Sequence, residues 1–301
     1  MLGPTASGKS ELAVSLAEAT GGEVLSVDSM QVYRGMDIGT AKPDAAMRAR
    51  VPHHLLDLAD PRDVFSVADF QREGAAVFSR LAQERATPVV AGGSGLHFRS
   101  LVDPMRFPPT DDELRAKLEE SDPDVLRAEL LDADPSATQH VDLANARRVL
   151  RAVEVLRLTG VSPSQRAAAP AAAAVRAYEG GKAMVAVGLD PGAGLAGRVE
   201  QRFDRMLGEG LLSEVAGLAD RLGPTARQAV GYQQLLAVVR GEASLDAGRQ
   251  AAISASLALA KRQRTFFRRD PRIRWLPWSD DPAERCRVAL SVVEEARAWS
   301  S

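Results

Sequence analysis

Apolar and polar positions follow two rhythms along the first third of the chain. The short apolar runs Val24-Leu25-Ser26-Val27-Asp28 and Pro88-Val89-Val90-Ala91 read as buried strands, and a third follows much later, over 184–189. Between the first two, residues 68–85 set Phe70, Val77, Phe78 and Leu81 on one side of a predicted helix. Strands separated by helices predict a parallel sheet covered on both faces. From about Thr110 to Arg157 the strand signals stop and helix follows helix. Asp111-Asp112-Glu113 gives an acidic first turn to a helix through Leu114 and Leu118, and residues 144–158 carry Val149, Val153 and Leu156 near helical spacing. Residues 162–181, rich in alanine and broken by Pro163, Pro170 and Gly180-Gly181, read as a surface connection. After the late strand, Leu195, Val199, Phe203 and Leu207 mark an amphipathic helix with Arg198, Arg202 and Arg205 on another face. Further helices are predicted over 211–222, 232–240 and 245–268. The expected organisation is an α/β core, residues 1–110 and 184–301, interrupted by a helical insertion over 111–183.

Composition changes this picture little. Hydrophobic residues at 45% and charged residues at 26% are ordinary for a folded chain of 301 residues. No run approaches the roughly 18 apolar residues of a membrane span, and no secretory signal opens the chain. The single cysteine, Cys286, excludes an internal disulfide and fits a cytoplasmic protein. The net charge of −2 gives no reason to expect a polyanion. Its distribution does: Lys261, Arg262, Arg264, Arg268, Arg269, Arg272 and Arg274 lie together with only Asp270 among them, and Arg147, Arg148 and Arg151 form a second group. Solvated helix faces remain the alternative for both.

The sharpest chemical signal opens the chain. Gly3-Pro4-Thr5-Ala6-Ser7-Gly8-Lys9-Ser10 fits the full pattern of a phosphate-binding loop, G-x-x-x-x-G-K-[ST]. Glycines let successive N–H groups converge on an anion, the following helix adds its positive end, Lys9 adds a full charge and the Ser10 hydroxyl can hold Mg²⁺. The fold class expected is therefore α/β, a P-loop NTPase-like parallel sheet flanked by helices, with a helical insertion domain. Such a loop normally follows a central buried strand, whereas here only Met1 and Leu2 precede Gly3. The first strand is thus expected to be truncated or missing, at a cost in stability. Asp28, at the end of the first predicted strand, should lie at the carboxyl edge where ligands bind. Taken alone it could be the Mg²⁺-coordinating aspartate of an NTPase.

Residues 28–43, with the loop before them, resemble the bacterial tRNA dimethylallyltransferases, also called tRNA isopentenyltransferases. The resemblance continues through 51–57, Gly92-Gly93-Ser94-Gly95, 147–155, 201–206, 230–234 and 260–263, in the family's order across nearly the whole chain. It implies that the loop holds the diphosphate of dimethylallyl diphosphate with Mg²⁺, through Thr5, Lys9 and Ser10. Arg202 matches the family's catalytic arginine and Asp28 the aspartate proposed as general base. The implied partner is the tRNA anticodon stem-loop, whose target adenine is flipped into a channel. Asp28, Ser29, Met30, Gln31, Ser94, Arg115, Arg147, Arg148, Arg151, Gln228, Gly231, Tyr232, Gln233, Lys261, Arg262 and Gln263 match segments that meet the RNA. A monomer is the family expectation. Two positions depart from the pattern: Ser94 stands where threonine is frequent and His97 where tyrosine is common. His53 and His54 lack the partners of a zinc site, and Trp275 and Trp278 read as packing residues before base-stacking ones.

Three other readings remain at this stage. A P-loop small-molecule kinase accounts for the loop and Asp28, but not for the arginine groups. A free adenine-nucleotide isopentenyltransferase would ignore tRNA. A non-catalytic tRNA-binding protein would bind the stem-loop and transfer nothing.

Overall fold

Lys9 to Thr20 form helix α1, which ends where Gly21 turns left-handed (φ 60°) and feeds strand β1, Gly22–Val27. The structure, a computed structural model, describes residues 1–298. Helix α2 (Ala45–Arg50) follows, capped by the Asp44 carboxylate accepting the Met47 N–H at 2.8 Å. Strand β2 is only His53–His54. Helix α3 (Val67–Glu84) starts in a capping box of Ser66 and Asp69 and buries Phe70, Gly74 and Leu81. Strand β3 (Thr87–Gly92) and helix α4 (Gly95–Val102) complete the first stretch.

The chain divides into two compact units. One is Met1–Leu101 with the chain from Ala183 on, the other Val102–Lys182. The second therefore begins nine residues before the expected 111. Its helices are α5 (Asp112–Glu119), α6 (Pro123–Ala133), α7 (Ala146–Thr159), α8 (Pro163–Ala168) and α9 (Pro170–Ala177). Leu118, Leu126, Leu130, Ala137, Val149, Ala152 and Val153 form its core. Helices α8 and α9 correct the expected surface connection. Ser162 and Gln165 form a capping box, each proline sits in a first turn where its missing N–H costs nothing, and alanine is the strongest helix former.

The first unit resumes with strand β4 (Ala186–Gly188), then helices α10 (Leu195–Gly208), α11 (Leu211–Leu218), α12 (Tyr232–Val239) and α13 (Leu245–Phe267). Strand β5 (Ile273–Trp275) and helix α14 (Pro282–Ala298) follow. On α10 the buried row is Leu195, Val199, Phe203 and Met206 rather than Leu207, because a 3.6-residue period steps back one position after two turns.

All the strands run parallel. β1 lies between β2 and β3, with Val24 opposite His53 and Gly22 opposite Thr87, while β4 pairs with β5, Ala186 opposite Ile273. Met1 and Leu2 join the two ladders. Leu2 bridges Gly92 on one side and Gly188 on the other; its N–H donates to Val187 O at 2.9 Å and its carbonyl accepts from Leu189 N–H at 2.9 Å. Two residues thus stand where the expected central strand would be and pass the hydrogen bonding across. Val24, Ala91, Val187 and Leu189 pack with Leu12, Val14 and Leu16 of α1 and Ala289 and Val292 of α14. Leu25 and Val27, alternating with Val24, are buried toward the other face.

Candidate active site at the carboxyl edge of the sheet

The loop from Gly3 to Ser10 leaves the sheet at Leu2, between β3 and β4. Gly3 is required there: a Cβ on it would lie 2.1 Å from Leu189 O. Gly8, at φ 77°, is the N-cap of α1, so the first free N–H groups of that helix face the loop. Non-glycine Ala6 also has a positive φ of 61°. Two distant side chains hold this conformation. Gln263 Oε1 accepts the Thr5 N–H at 2.8 Å, and Arg198 Nε donates to Ala6 O at 2.9 Å. Lys9 Nζ bonds back to Pro4 O at 2.5 Å and Ser7 Oγ at 3.2 Å.

A cavity of about 420 Å³ opens over the loop. Thr5 through Ser10 line it, with Asp28 and Gln31 beyond β1, Thr40 and Lys42 from the following segment, and Arg198, Arg202 and Arg205 from α10. A smaller cavity beside it is bounded by Thr5, Asp28 and Arg202 and by the apolar Met30, Phe203, Met206, Val230 and Leu259. The Asp28 carboxylate is oriented by the N–H groups of Met30 (2.8 Å) and Gln31 (3.3 Å). Cations crowd the larger cavity. Burial, then the nearby Arg202 charge, pull Lys9 down to about 7, with Asp28 opposing them. Burial likewise lowers Arg202. Such a cavity is electrostatically complementary to a multivalent anion.

Several supporting residues were not singled out by the sequence. Lys42 is buried and bonded to Asp37 (2.6 Å), Asp57 (2.7 Å) and Tyr33 O (2.8 Å). Glu214 accepts the N–H groups of Asp37, Ile38 and Gly39 at 2.8–3.0 Å and the Tyr232 hydroxyl. Gln31, expected from the sequence to meet RNA, is a correction: its side chain is buried, accepting from Ser26 at 2.7 Å and donating to Thr40 O and Ala41 O. These bonds fix the segment that walls the cavity. Lys42 lay in a recognisable block, but Glu214 carried no local signal.

The residues expected to meet RNA divide by exposure. Arg147, Arg148, Gln228, Gln233, Lys261 and Arg262 are exposed, and Ser29, Met30 and Ser94 are half-buried. Tyr232 is a correction: it is fully buried, with its hydroxyl on Glu214, and its ring closes over Gly39, where a Cβ would lie 2.4 Å away. Gly231 is buried as well. Gln263 faces the loop and Gly93. Arg115 and Arg151 are each 2.7 Å from the buried Glu154 carboxylate. Burial pushes Glu154 up, and the bonds from those two arginines outweigh it and hold its pKa below the ordinary value.

Within the 261–274 basic segment, Arg264 (2.9 Å) and Arg268 (3.3 Å) pair with Asp190, Arg272 with Asp270 and Arg274 with Glu295. Among the described residues Lys261, Arg262 and Arg269 form no ion pair. His54 bonds Glu23, His53 bonds Val51 O, and His97 bonds Ser94 Oγ at 2.7 Å. Among the described residues no cluster of His, Cys, Asp and Glu could hold a metal ion unaided, and no helix is long and apolar enough to cross a membrane.

Comparison with known proteins gives consistent matches. The profile of a family described as IPP transferase matches residues 31–270, and one described as isopentenyl transferase matches 1–55. A tRNA dimethylallyltransferase of Streptomyces coelicolor is 44% identical, over 98% of this chain and 95% of its own length. Among solved structures, the tRNA isopentenylpyrophosphate transferase of Bacillus halodurans is similar over 100% of this chain and 98% of its own, at 33% identity and TM-score 0.70. Its counterpart from Staphylococcus epidermidis shows the same coverage and TM-score at 30% identity. A eukaryotic dimethylallyltransferase caught acting on tRNA shares the fold over 94% of this chain and 76% of its own, at 24% identity and TM-score 0.75.

Proposed function

The chain belongs to the IPP transferase family, and on that premise we propose that it transfers a dimethylallyl group from dimethylallyl diphosphate to tRNA. The acceptor is the exocyclic amine of the adenosine immediately 3′ of the anticodon, and diphosphate is released. The observation that carries this reading is the meeting of three chemistries around one loop: a cationic phosphate cradle, the Asp28 carboxylate, and an apolar recess beside both. A P-loop NTPase-like core, used for a diphosphate ester instead of ATP, is part of it, as is a monomeric cytoplasmic enzyme.

The allylic C–O bond breaks and its electron pair leaves with the diphosphate. Lys9, Arg202 and the loop N–H groups face the charge that develops there. The amine nitrogen forms the new C–N bond and loses a proton, for which Asp28 is the acceptor. The apolar recess of Met30, Phe203, Met206, Val230 and Leu259 suits the five-carbon group. The oxygen donors fit Mg²⁺. The Ser10 hydroxyl is exposed at the start of α1 and shares the cavity with Asp28, and Mg²⁺ takes few protein oxygens and completes its shell with water and phosphate. Bound there, it would neutralise charge on the leaving diphosphate. Arg147, Arg148, Lys261 and Arg262 are exposed cations suited to RNA phosphates.

Labelled dimethylallyl diphosphate incubated with an unmodified anticodon stem-loop tests the proposal. Wild type should label the RNA, and Asp28→Asn, which keeps the turn at Met30, should lower turnover by about 10²–10⁴-fold. Phosphoryl transfer from ATP without tRNA, and no prenylated RNA, would replace it with a kinase.

A further inference from the structure

Arg285 on α14 is only 6% exposed and has few partners. Its Nη1 donates to Ser279 O at 2.6 Å, while its buried Nε meets no acceptor. Among the described residues it forms no ion pair; Asp280 and Asp281 act on it from a distance. Its Nη2 approaches the phosphate loop: a Cβ built on Gly8 would lie 3.4 Å from it and 3.8 Å from Arg198 Nη2. Both guanidinium groups lie over the Trp278 ring, Arg285 at 4.9 Å and Arg198 at 5.0 Å from its centroid. Arg198 in turn holds Ala6 O.

Two cations gathered on one indole repel each other, and the ring face offsets only part of that. Burying a guanidinium without an anion is unfavourable, and burial and the Arg198 charge together lower the Arg285 pKa. Asp280 accepts the Trp278 Nε1 N–H at 3.1 Å, but among the described residues neither guanidinium has an ion pair, and the loop residue that Arg285 approaches is Gly8, the N-cap of α1.

We propose that Arg285, held with Arg198 over Trp278, is a positioning residue of the phosphate loop whose charge tunes the loop for a diphosphate over a monophosphate. The inference rests on that loop being the donor's diphosphate site. A charge placed behind the loop attracts the more highly charged ligand more strongly, so it adds selectivity as well as affinity. It is set apart from Lys9 and Arg202, which reach into the cavity.

The test uses the full chain as wild type, Arg285→Gln and Arg285→Lys. Inorganic pyrophosphate and inorganic phosphate serve as competitive probes of prenyl transfer and as ligands in calorimetry. Arg285→Gln should weaken pyrophosphate and raise the donor KM by about tenfold, equivalent to about 1.4 kcal/mol. Phosphate should weaken less, and stem-loop affinity should hold within about twofold. Arg285→Lys should recover most of the pyrophosphate affinity. Unchanged pyrophosphate binding in a folded Arg285→Gln protein would overturn the inference and leave prenyl transfer standing. So would a folded Arg285→Lys protein that loses pyrophosphate binding outright, a result available even if the glutamine variant does not fold. Arg285-dependent pyrophosphate binding in a wild type that prenylates no RNA would keep this site and overturn the transferase reading instead.

Discussion

Lys9 illustrates how single side chains in this cavity are tuned by their neighbours. With its pKa near 7, it binds fewer protons in the folded protein than the 10.5 of an ordinary lysine would dictate. Below about 7 it is charged in both states and its burial opposes folding; that opposition fades as pH rises toward 10.5, so stability in the absence of ligand gains with pH across this window. An anion beside it reverses the shift. Donor binding above pH 7 should therefore take up a proton, and donor affinity should fall as pH climbs from about 7, by at most about tenfold per unit. Calorimetry in buffers of different ionisation enthalpy measures the uptake, and Lys9→Met should abolish it. Gln263 offers a second residue-scale contrast. Its bond to Thr5 N–H puts it against the loop, the side of the cavity proposed for the donor. Gln263→Ala should raise the donor KM several-fold and leave stem-loop affinity unchanged; the opposite pattern would return it to the RNA.

At the scale of elements, Glu214 governs the segment Asp37–Gly39 from another helix. Three N–H groups and the Tyr232 hydroxyl converge on one carboxylate. Glu214→Ala should speed amide exchange at those three positions and lower transfer by roughly tenfold, since a lost charged hydrogen bond is worth about 1.5–3 kcal/mol. Glu214→Gln should be milder. The long periodic elements α3, α10 and α13 and the apolar strands β1 and β3 were legible from spacing alone. β2 and β5 were not, because two or three residues cannot establish a period and Ile273–Trp275 lies among arginines. α8 and α9 were hidden because Pro163 and Pro170 read as breakers where they are helix starters. The roles of Gln263 and Glu214 depend on pairings 258 and about 175 residues away in the chain, which no local pattern carries.

For the whole molecule, a net charge of −2 conceals exposed cations with few or no carboxylate partners among the described residues. Arg147 has no ion pair among the described residues, and Arg148 has only an exposed one to Asp142 at 3.3 Å. Replacing both with alanine should weaken stem-loop binding and reduce the slope of log affinity against log salt by roughly 0.7–0.9 for each phosphate no longer neutralised. Titrations at several salt concentrations read this directly, and an unchanged slope would remove the pair from the RNA interface. Arg115 and Arg151, committed to Glu154, belong to a different class. Their replacement should show first as a loss of stability in Val102–Lys182, because it strands a buried carboxylate.

The parallel sheet has one further consequence, for anyone who wishes to modify the protein. Leu2, β1 and β3 all deliver their chemistry at their carboxyl ends, to Gly3, Asp28 and Gly93. The turns that enter those strands, at Gly21 and at Arg85-Ala86, lie at the opposite edge. Gly21 has open space around a notional Cβ, and Arg85 is exposed in a left-handed conformation at φ 56°. The turn between Glu84 and Thr87 is therefore a natural port for a fluorophore or an inserted reporter domain, placed a full strand length from the reaction.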